Sequence, residues 1–511
     1  MKYNIYNKVS RVLLLSSVLA VGMLTTSCND WLDVRPETED KEKDQFASQK
    51  GFETALTGCY MAMAERSIYG ERLTMTNIES LANLWYRASS VKTQERLEDK
   101  DMADHNYDGD YARTSIAAIY KGLFYTIVQA NMIIKHGLEN GGVIKSAVER
   151  NCIIGEAYAI RAYCQLDVLR LFGQMPKGGA ASVMLPYSET TNINEMPPYY
   201  GYQDYVKKLK DDIANAKKYL KDSDPLFRQT FSELHSTSQS AESNEYLILR
   251  QFRMNYYAVV ALEARMNLYV GDIAAANTAA MEIINAKDVN GKALRPLSGV
   301  DDLNKGYTLC PNECLFSLSK YNVASYAATS LIGGGTAGSY RTEYVLAISE
   351  QMFNELYSGQ NISSHNRYQK CWNTTVTDPA GKRWVACRKY YFPETVENKS
   401  LYYQFIPMLR TSEMYLIAME TGTDLSEVNR LYNDYMISHA VANAAEFTSL
   451  DEVKAFIEGE YRREFFAEGQ MFYTYKRMGT ADWLWRDGKV DEKDYILPLP
   501  ETEFNPNDLK K

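Results

Sequence analysis

The sequence predicts a mainly α-helical fold, a helical-repeat superhelix with loop-rich and small β-bearing insertions, and three observations predict it. Apolar stripes recur at helical spacing: Ile116, Ile119, Tyr120, Leu123, Ile127, Ala130 and Ile134 step by threes and fours, the period of one buried helix face. A helix pair is legible from Arg253 to Ala286, with Tyr257, Ala261, Ala264 and Leu268 on one face, Gly271-Asp272 at the turn, and Ala276, Ala280 and Ile283 on the second helix. The small residues around that turn have tetratricopeptide-like spacing, and units of this kind stack to bury their apolar faces. Glycine- and tyrosine-bearing stretches interrupt the helical period, so the repeats are unevenly spaced and the scaffold carries large insertions.

At the start of the chain, Lys2, Lys8 and Arg11 precede an uncharged run from Val12 to Leu24. That run is too short for a membrane-spanning helix of ~20 residues, so residues 1–27 read as a secretion signal. Thr25, Thr26 and Ser27 lead straight into Cys28, which resembles a loose bacterial lipobox. In that pattern the cysteine is acylated and becomes the first residue of the mature chain, and the expectation is a protein tethered to a membrane through Cys28. Residues 28–50 are charged, proline-bearing and poor in apolar side chains, and read as the lipidated tether.

The 56 basic and 65 acidic residues, net −9, argue against nucleic acid as a partner. Tyrosine stands out: 39 residues against 17 Phe and 6 Trp. Each ring offers an apolar face and a polar tip, which suits stacking on the C–H faces of sugars while hydrogen-bonding their hydroxyls.

Continuing along the chain, Phe52 to Ala64 has Ala55, Gly58 and Ala62 at helical spacing. The polar, aromatic stretch Ser67 to Arg87 follows, with Asn83, Trp85 and Tyr86 as either a lid on the core or an exposed stacking platform. Asp104 to Asp110 copies the first half of an EF-hand loop, but the twelfth position is Ser115 where a bidentate glutamate is needed. The expectation there is a solvated loop capping the next helix, with no metal bound. A further stripe, Ala159, Ala162, Leu166 and Leu169, ends at Phe172-Gly173-Gln174-Met175-Pro176.

Asn290 to Tyr344 reads as a loop-rich segment carrying Gly333-Gly334-Gly335 and Gly338 among Tyr321, Tyr326, Tyr340 and Arg341. The triple glycine lacks the lysine and the strand-to-helix setting of a phosphate cradle. Asn361 to Phe392 reads as a small β-bearing insertion in which a turn at Asp378-Pro379-Ala380-Gly381 would bring Cys371 and Cys387 close enough to bridge. Cys310 and Cys314 have no second pair at metal-binding distance and read as structural. Met408 to Glu420 and Glu460 to Gly469 read as helices, the second carrying Glu464 and Glu468. Two carboxylates beside arginines invite a glycosidase reading, but one helix face lacks the cleft such chemistry needs, so the expectation is an ion network.

These last segments carry a resemblance. Arg410-x-x-Glu413-x-Tyr415-Leu416-Ile417-x-x-Glu420, Glu460-x-Arg462-Arg463-Glu464-x-x-x-Glu468-Gly469 with Lys476-Arg477-Met478-Gly479, and Leu497-Pro498-Leu499-Pro500-x-x-Glu503-x-Asn505-Pro506-Asn507 resemble the C-terminal signatures of the RagB/SusD family. Cys28-Asn29-Asp30-Trp31-Leu32-Asp33, Arg161-Ala162 and Leu171-Phe172-Gly173-x-x-Pro176 fall in that family's order, so the resemblance spans the mature chain. Gln470 to Tyr475 departs from the family's usual basic and aromatic pair followed by Asp-Leu. The resemblance implies a SusD-like N-terminal helical-repeat region over 51–289 and a C-terminal region with inserted loops and closing helices over 290–511.

It also implies a surface lipoprotein of the outer membrane, without catalysis or cofactor, that binds a nutrient, usually a glycan, and serves a TonB-dependent, SusC-like transporter. No family motif carries over to the ligand contacts, so the candidates are chosen by position and chemistry: Asn83, Trp85, Tyr86, Tyr321, Tyr326, Tyr340 and Arg341. The alternatives are a repeat-scaffold lipoprotein of a peptide-uptake or surface-appendage complex without sugar binding, and a surface glycoside hydrolase.

Overall fold

The structure is a computed structural model and describes residues 37–192, 195–234, 236, 245–332, 341–391 and 399–508. The leader, Cys28, the triple glycine and Tyr340 lie outside the described residues. Two compact units are distinguished, residues 1–51 and 52–511. In the first, Glu37–Gln45 is helical where the composition suggested only a tether. No helix among the described residues is long and apolar enough to cross a membrane.

The second unit is built on a row of helices, each packed on the next. Asp110–Asn140 lies against Ala147–Phe172, which lies against Tyr202–Leu220. Tyr256–Val270 follows, then Ile273–Ile284, Thr411–Thr421 and Leu425–Ser438. Local chemistry sets the ends. Ser146 accepts from Glu149 N, Asn255 accepts from Ala258 N, and Gly271 closes its helix in the left-handed conformation at φ 84°. Close approach explains Gly155, where an added Cβ would stand 2.7 Å from Leu220 Cγ on the neighbouring helix.

Buried arginines tie the row together. Arg161 binds Asp212 through Nε at 2.7 Å and Asn131 through Nη1 at 3.0 Å, joining three helices. Arg265 reaches both oxygens of Glu413, at 2.8 and 2.7 Å, and the hydroxyl of Tyr163 at 2.9 Å. Arg250, fully buried, holds Glu156 at 2.6 Å and Asp224 at 2.9 Å.

The insertions supply the strands. Ile348–Ser349, Arg383–Cys387 and Trp372–Thr377 form a three-stranded antiparallel sheet, which agrees with the β-bearing insertion read from the sequence. The hairpin forms, but Cys387 stands opposite Trp372 while Cys371 O accepts from Arg388 N at 2.8 Å. That offset separates the two cysteines in register, and both are free, so the expected bridge is not present. Burial pushes their thiols up to about 11 and 12.

Two helix expectations need correction. Phe405–Arg410 is a strand, paired antiparallel with Cys314–Ser319, and the helix begins only at Thr411. The strand runs directly into the helix at Arg410-Thr411 with no loop residue between them, so no turn signal marks the change. The helix Leu450–Glu464 stops before Glu468, because Ala467 and Gly469 take positive φ values of 62° and 74°. Gly469 is required there: a Cβ would lie 2.2 Å from Leu73 O.

Glu464 and Glu468 therefore meet around an arginine rather than along one helix face. Arg410 donates to Glu464 at 2.7 Å, to Glu468 at 2.8 Å and to Glu313. Lys389 adds a 2.6 Å bond to Glu468, and His439 lies 2.9 Å from Glu464. Burial alone would raise Glu464, but Arg367 and Arg410 hold it well below the usual carboxylate range. The pair forms the expected ion network, buried away from any substrate.

Candidate functional site

The short helix Asn77–Leu81 ends in a left-handed turn at Asn83, φ 57°, a conformation asparagine adopts more readily than most residues. The turn is held from inside: Asn83 Nδ2 donates to Ala103 O at 2.8 Å and to Ser80 O at 3.1 Å. Beyond it Leu84 and Trp85 are both buried, and Tyr86 is the next side chain to be partly exposed. Trp85 points inward, 3% exposed, with Nε1 donating to Met75 O at 3.0 Å and its ring edge-on to Phe466 at 4.8 Å. Tyr86 stays half-buried; its N–H donates to Ala347 O at 2.8 Å and its ring packs edge-on to Trp384 at 4.6 Å.

Tyr86 borders an open groove of about 730 Å³. Arg87, Lys100 and Asp104 continue that wall, and Gln351 and Glu355, one turn apart on the helix Glu350–Leu356, line the groove with Leu484, Trp485, Arg486 and Asp487 from near the C-terminus. Trp483 anchors the last of these segments: it is buried, and its ring stacks on Tyr475 at 4.6 Å. Trp485 is only half-buried. Its indole donates to Glu355 Oε2 at 2.9 Å, and Gln351 donates to the other oxygen of Glu355 at 2.9 Å, which steadies the carboxylate.

Arg486 is aimed by the loop that imitates an EF-hand. Its Nη1 donates to His105 Nδ1 at 2.9 Å, while the other ring nitrogen of His105 faces Leu81 O at 2.9 Å. This pairing selects the neutral tautomer protonated at Nε2. The helix from Asp110 starts after Gly109 with no side-chain cap from the loop, and His105 turns inward rather than into solvent. Asp104 is engaged by Arg87 and by Lys100, the latter at 2.6 Å. Among the described residues, the one group whose ligand atoms converge as a metal would need is His439, Glu460 and Glu464. Arg463, Arg410 and Arg367 already answer those carboxylates, so a further cation would be repelled.

Of the expected contact residues, Tyr86 lies at the groove, half-buried, with its ring edge-on to Trp384 and Lys382 Nζ 5.2 Å from the ring centre. Asn83 and Trp85 are corrected to interior roles, since a left-handed turn and a buried indole hydrogen bond consume their polar groups. Tyr326 is corrected likewise: it is 9% exposed, its hydroxyl donates to Gly70 O, and Arg66 covers its ring at 5.0 Å. Tyr321 is 78% exposed and Arg341 is exposed, but neither lines the groove. Trp485, Arg486, Gln351 and Glu355 were missed. The signal that could have found the first two is Trp483-Leu484-Trp485-Arg486-Asp487-Gly488, two aromatics one residue apart beside charges and a glycine.

No family model matches the chain. A SusD-like protein from Formosa agariphila is 22% identical over 503 residues, covering 90% of this chain and 91% of that one. A solved structure of a SusD superfamily protein from Bacteroides thetaiotaomicron superposes with a TM-score of 0.68 at 21% identity, covering 90% of this chain and 98% of the other. A SusD-like carbohydrate binding protein from Bacteroides vulgatus superposes with a TM-score of 0.61 at 16% identity, covering 84% and 83%. The C-terminal signatures, the whole-length sequence similarity and the shared helical architecture agree: the chain has the fold of the SusD superfamily and is similar to SusD-like proteins along its length.

Proposed function

We propose that the protein is a surface lipoprotein of the outer membrane that binds a glycan in the groove between Tyr86 and Trp485. In this reading Cys28 carries the lipid anchor, and the captured sugar passes to a partner TonB-dependent, SusC-like transporter without chemical change. The observation that carries the proposal is the groove itself: two half-buried rings with a rim of hydrogen-bonding side chains. Arg87, Lys100 and Arg486 are matched by Asp104, Glu355 and Asp487. A lining so balanced favours a neutral, hydroxyl-rich ligand over a strongly charged one. The relative from Bacteroides vulgatus, described as carbohydrate binding, supports the same ligand class.

The test is calorimetric titration of the purified protein against plant, host and microbial glycans, with Tyr86→Ala and Trp485→Ala in parallel. Saturable binding weakened in both variants is expected. Binding that both variants retain at full strength would remove the groove as the site, and capture of a peptide instead of any glycan would favour the peptide-uptake alternative. The transporter step is tested separately by co-purification of a barrel protein with the membrane-anchored chain.

A further inference from the structure

Beneath Tyr86 the groove leads into a second, much smaller space of about 30 Å³. It shares Trp85, Tyr86, Arg87, Ala88 and Lys100 with the groove, so the two adjoin, and its lining adds Ser80, Arg96 and Asp99, the last two of which also border a cavity of about 220 Å³ beside Glu71. These three are polar and almost fully buried; Arg96 is 3% exposed. Arg96 Nη2 faces Asp99 Oδ2 at 2.8 Å, and Asn77 donates to Asp99 Oδ1 at 2.7 Å.

Arg96 Nη1 and Ser80 Oγ find no hydrogen-bond partner among the described residues. A buried guanidinium N–H left unanswered costs more than a neutral group would, so the chamber is built to receive a polar atom. Arg96 can only donate, whereas Asp99 beside it can accept. A hydroxyl answers both at once; a carboxylate would meet Asp99 as a like charge.

We propose that the chamber is a subsite for the hydroxymethyl arm of a hexopyranose whose ring lies against Tyr86. The inference rests on the glycan reading of the groove and narrows it to sugars bearing that arm. Size supports it: one water needs roughly 10–15 Å³ on this measure, so the chamber admits about two heavy atoms, the carbon and oxygen of a hydroxymethyl group, and excludes a whole ring. Chemistry supports it too, since the walls nearest Tyr86 include Ala88 and Val91 for the methylene, while Ser80, Arg96 and Asp99 await the hydroxyl.

Crystals of the protein soaked in methyl β-D-glucopyranoside, or in methyl β-D-xylopyranoside, which lacks only the hydroxymethyl group, test the proposal together with NMR titrations of the same pair. The glucoside oxygen is expected within hydrogen-bonding distance of Arg96 Nη1, with the glucoside binding about tenfold more tightly than the xyloside. Ser80→Val, which crowds the chamber, should bring the glucoside down to the affinity of the xyloside. Equal affinities, or a glucoside ring at Tyr86 with only water at Arg96, would overturn the subsite and leave the groove reading standing. Absence of either ring from the groove would overturn both.

Discussion

Replacing Arg410 by methionine is expected to destabilise the protein by roughly 3–5 kcal/mol, the cost of breaking a buried ion pair from one side. The structure shows where that cost falls. Glu464 would keep Arg367 at 3.4 Å and His439 at 2.9 Å, and Glu468 would keep Lys389 at 2.6 Å. Glu313 would lose its ion-pair partner Arg410 and keep the Ser298 N–H at 3.0 Å and the Ser412 hydroxyl at 2.8 Å. One buried carboxylate is thus left without a direct ion pair, Arg367 acting on it only at longer range, which sets the lower half of the range.

The pH dependence has a definite sign. In the wild type Glu464 is held well below its ordinary value, so its contribution is present above the unfolded value and is lost as pH falls through the folded one. In the variant burial is less opposed, the folded value rises, and the stability gap to the wild type narrows as pH falls toward ~4.3, where unfolded glutamates take up protons. Urea unfolding followed by circular dichroism, at neutral pH and about one unit above that value, measures both effects. A gap under about 1 kcal/mol at neutral pH, or one that widens on acidification, would refute the reasoning.

Truncating either groove ring, Tyr86→Ala or Trp485→Ala, should weaken glycan binding roughly two- to tenfold, from the ~0.5–1.5 kcal/mol of a stacked aromatic contact, with the fold unchanged by circular dichroism. Gly155→Ala should cost about 1–3 kcal/mol in urea unfolding, because its Cβ would meet Leu220 at 2.7 Å and Tyr219 at 3.1 Å. Glu79, raised to about 8 chiefly by burial, is expected to be protonated in the folded protein at neutral pH. Its raised value favours folding below the unfolded value and that advantage is lost as pH rises to about 8, so Glu79→Gln should gain on the wild type across this window and level off above it in pH-dependent unfolding. Cys371 and Cys387, pushed up to about 11 and 12 by burial, should react with a thiol reagent only after denaturation, and a reducing agent should leave the melting temperature where it was.

The helices were legible because their apolar period is long and uninterrupted, as in Asp110–Asn140, and because Gly271 marks its turn with a conformation glycine adopts freely. The strand Phe405–Arg410 was not, since its partner Cys314–Ser319 lies far away in the chain and its own residues are apolar enough for either element. The quoted C-terminal signatures take on a physical meaning in the structure. Arg410, Glu413, Glu420, Glu464, Glu468 and Arg477 all form ion pairs within the interior, so the signatures describe how the fold is held and say nothing of the ligand.

The site was half legible. Trp85-Tyr86 was found as a pair, but which ring faces out depends on the turn at Asn83, and that in turn depends on a hydrogen bond to Ala103. Trp485 becomes visible only once Trp483 is seen to be its buried counterpart, and one stretch of residues cannot tell an anchor from a platform.

The groove is assembled from segments around Tyr86, Glu355 and Trp485, which the ribosome makes far apart in time. A growing chain therefore owns one ring and no opposing wall until synthesis is almost finished. Premature termination shortly upstream of Trp483 would release a polypeptide with most of its helices and an incomplete groove.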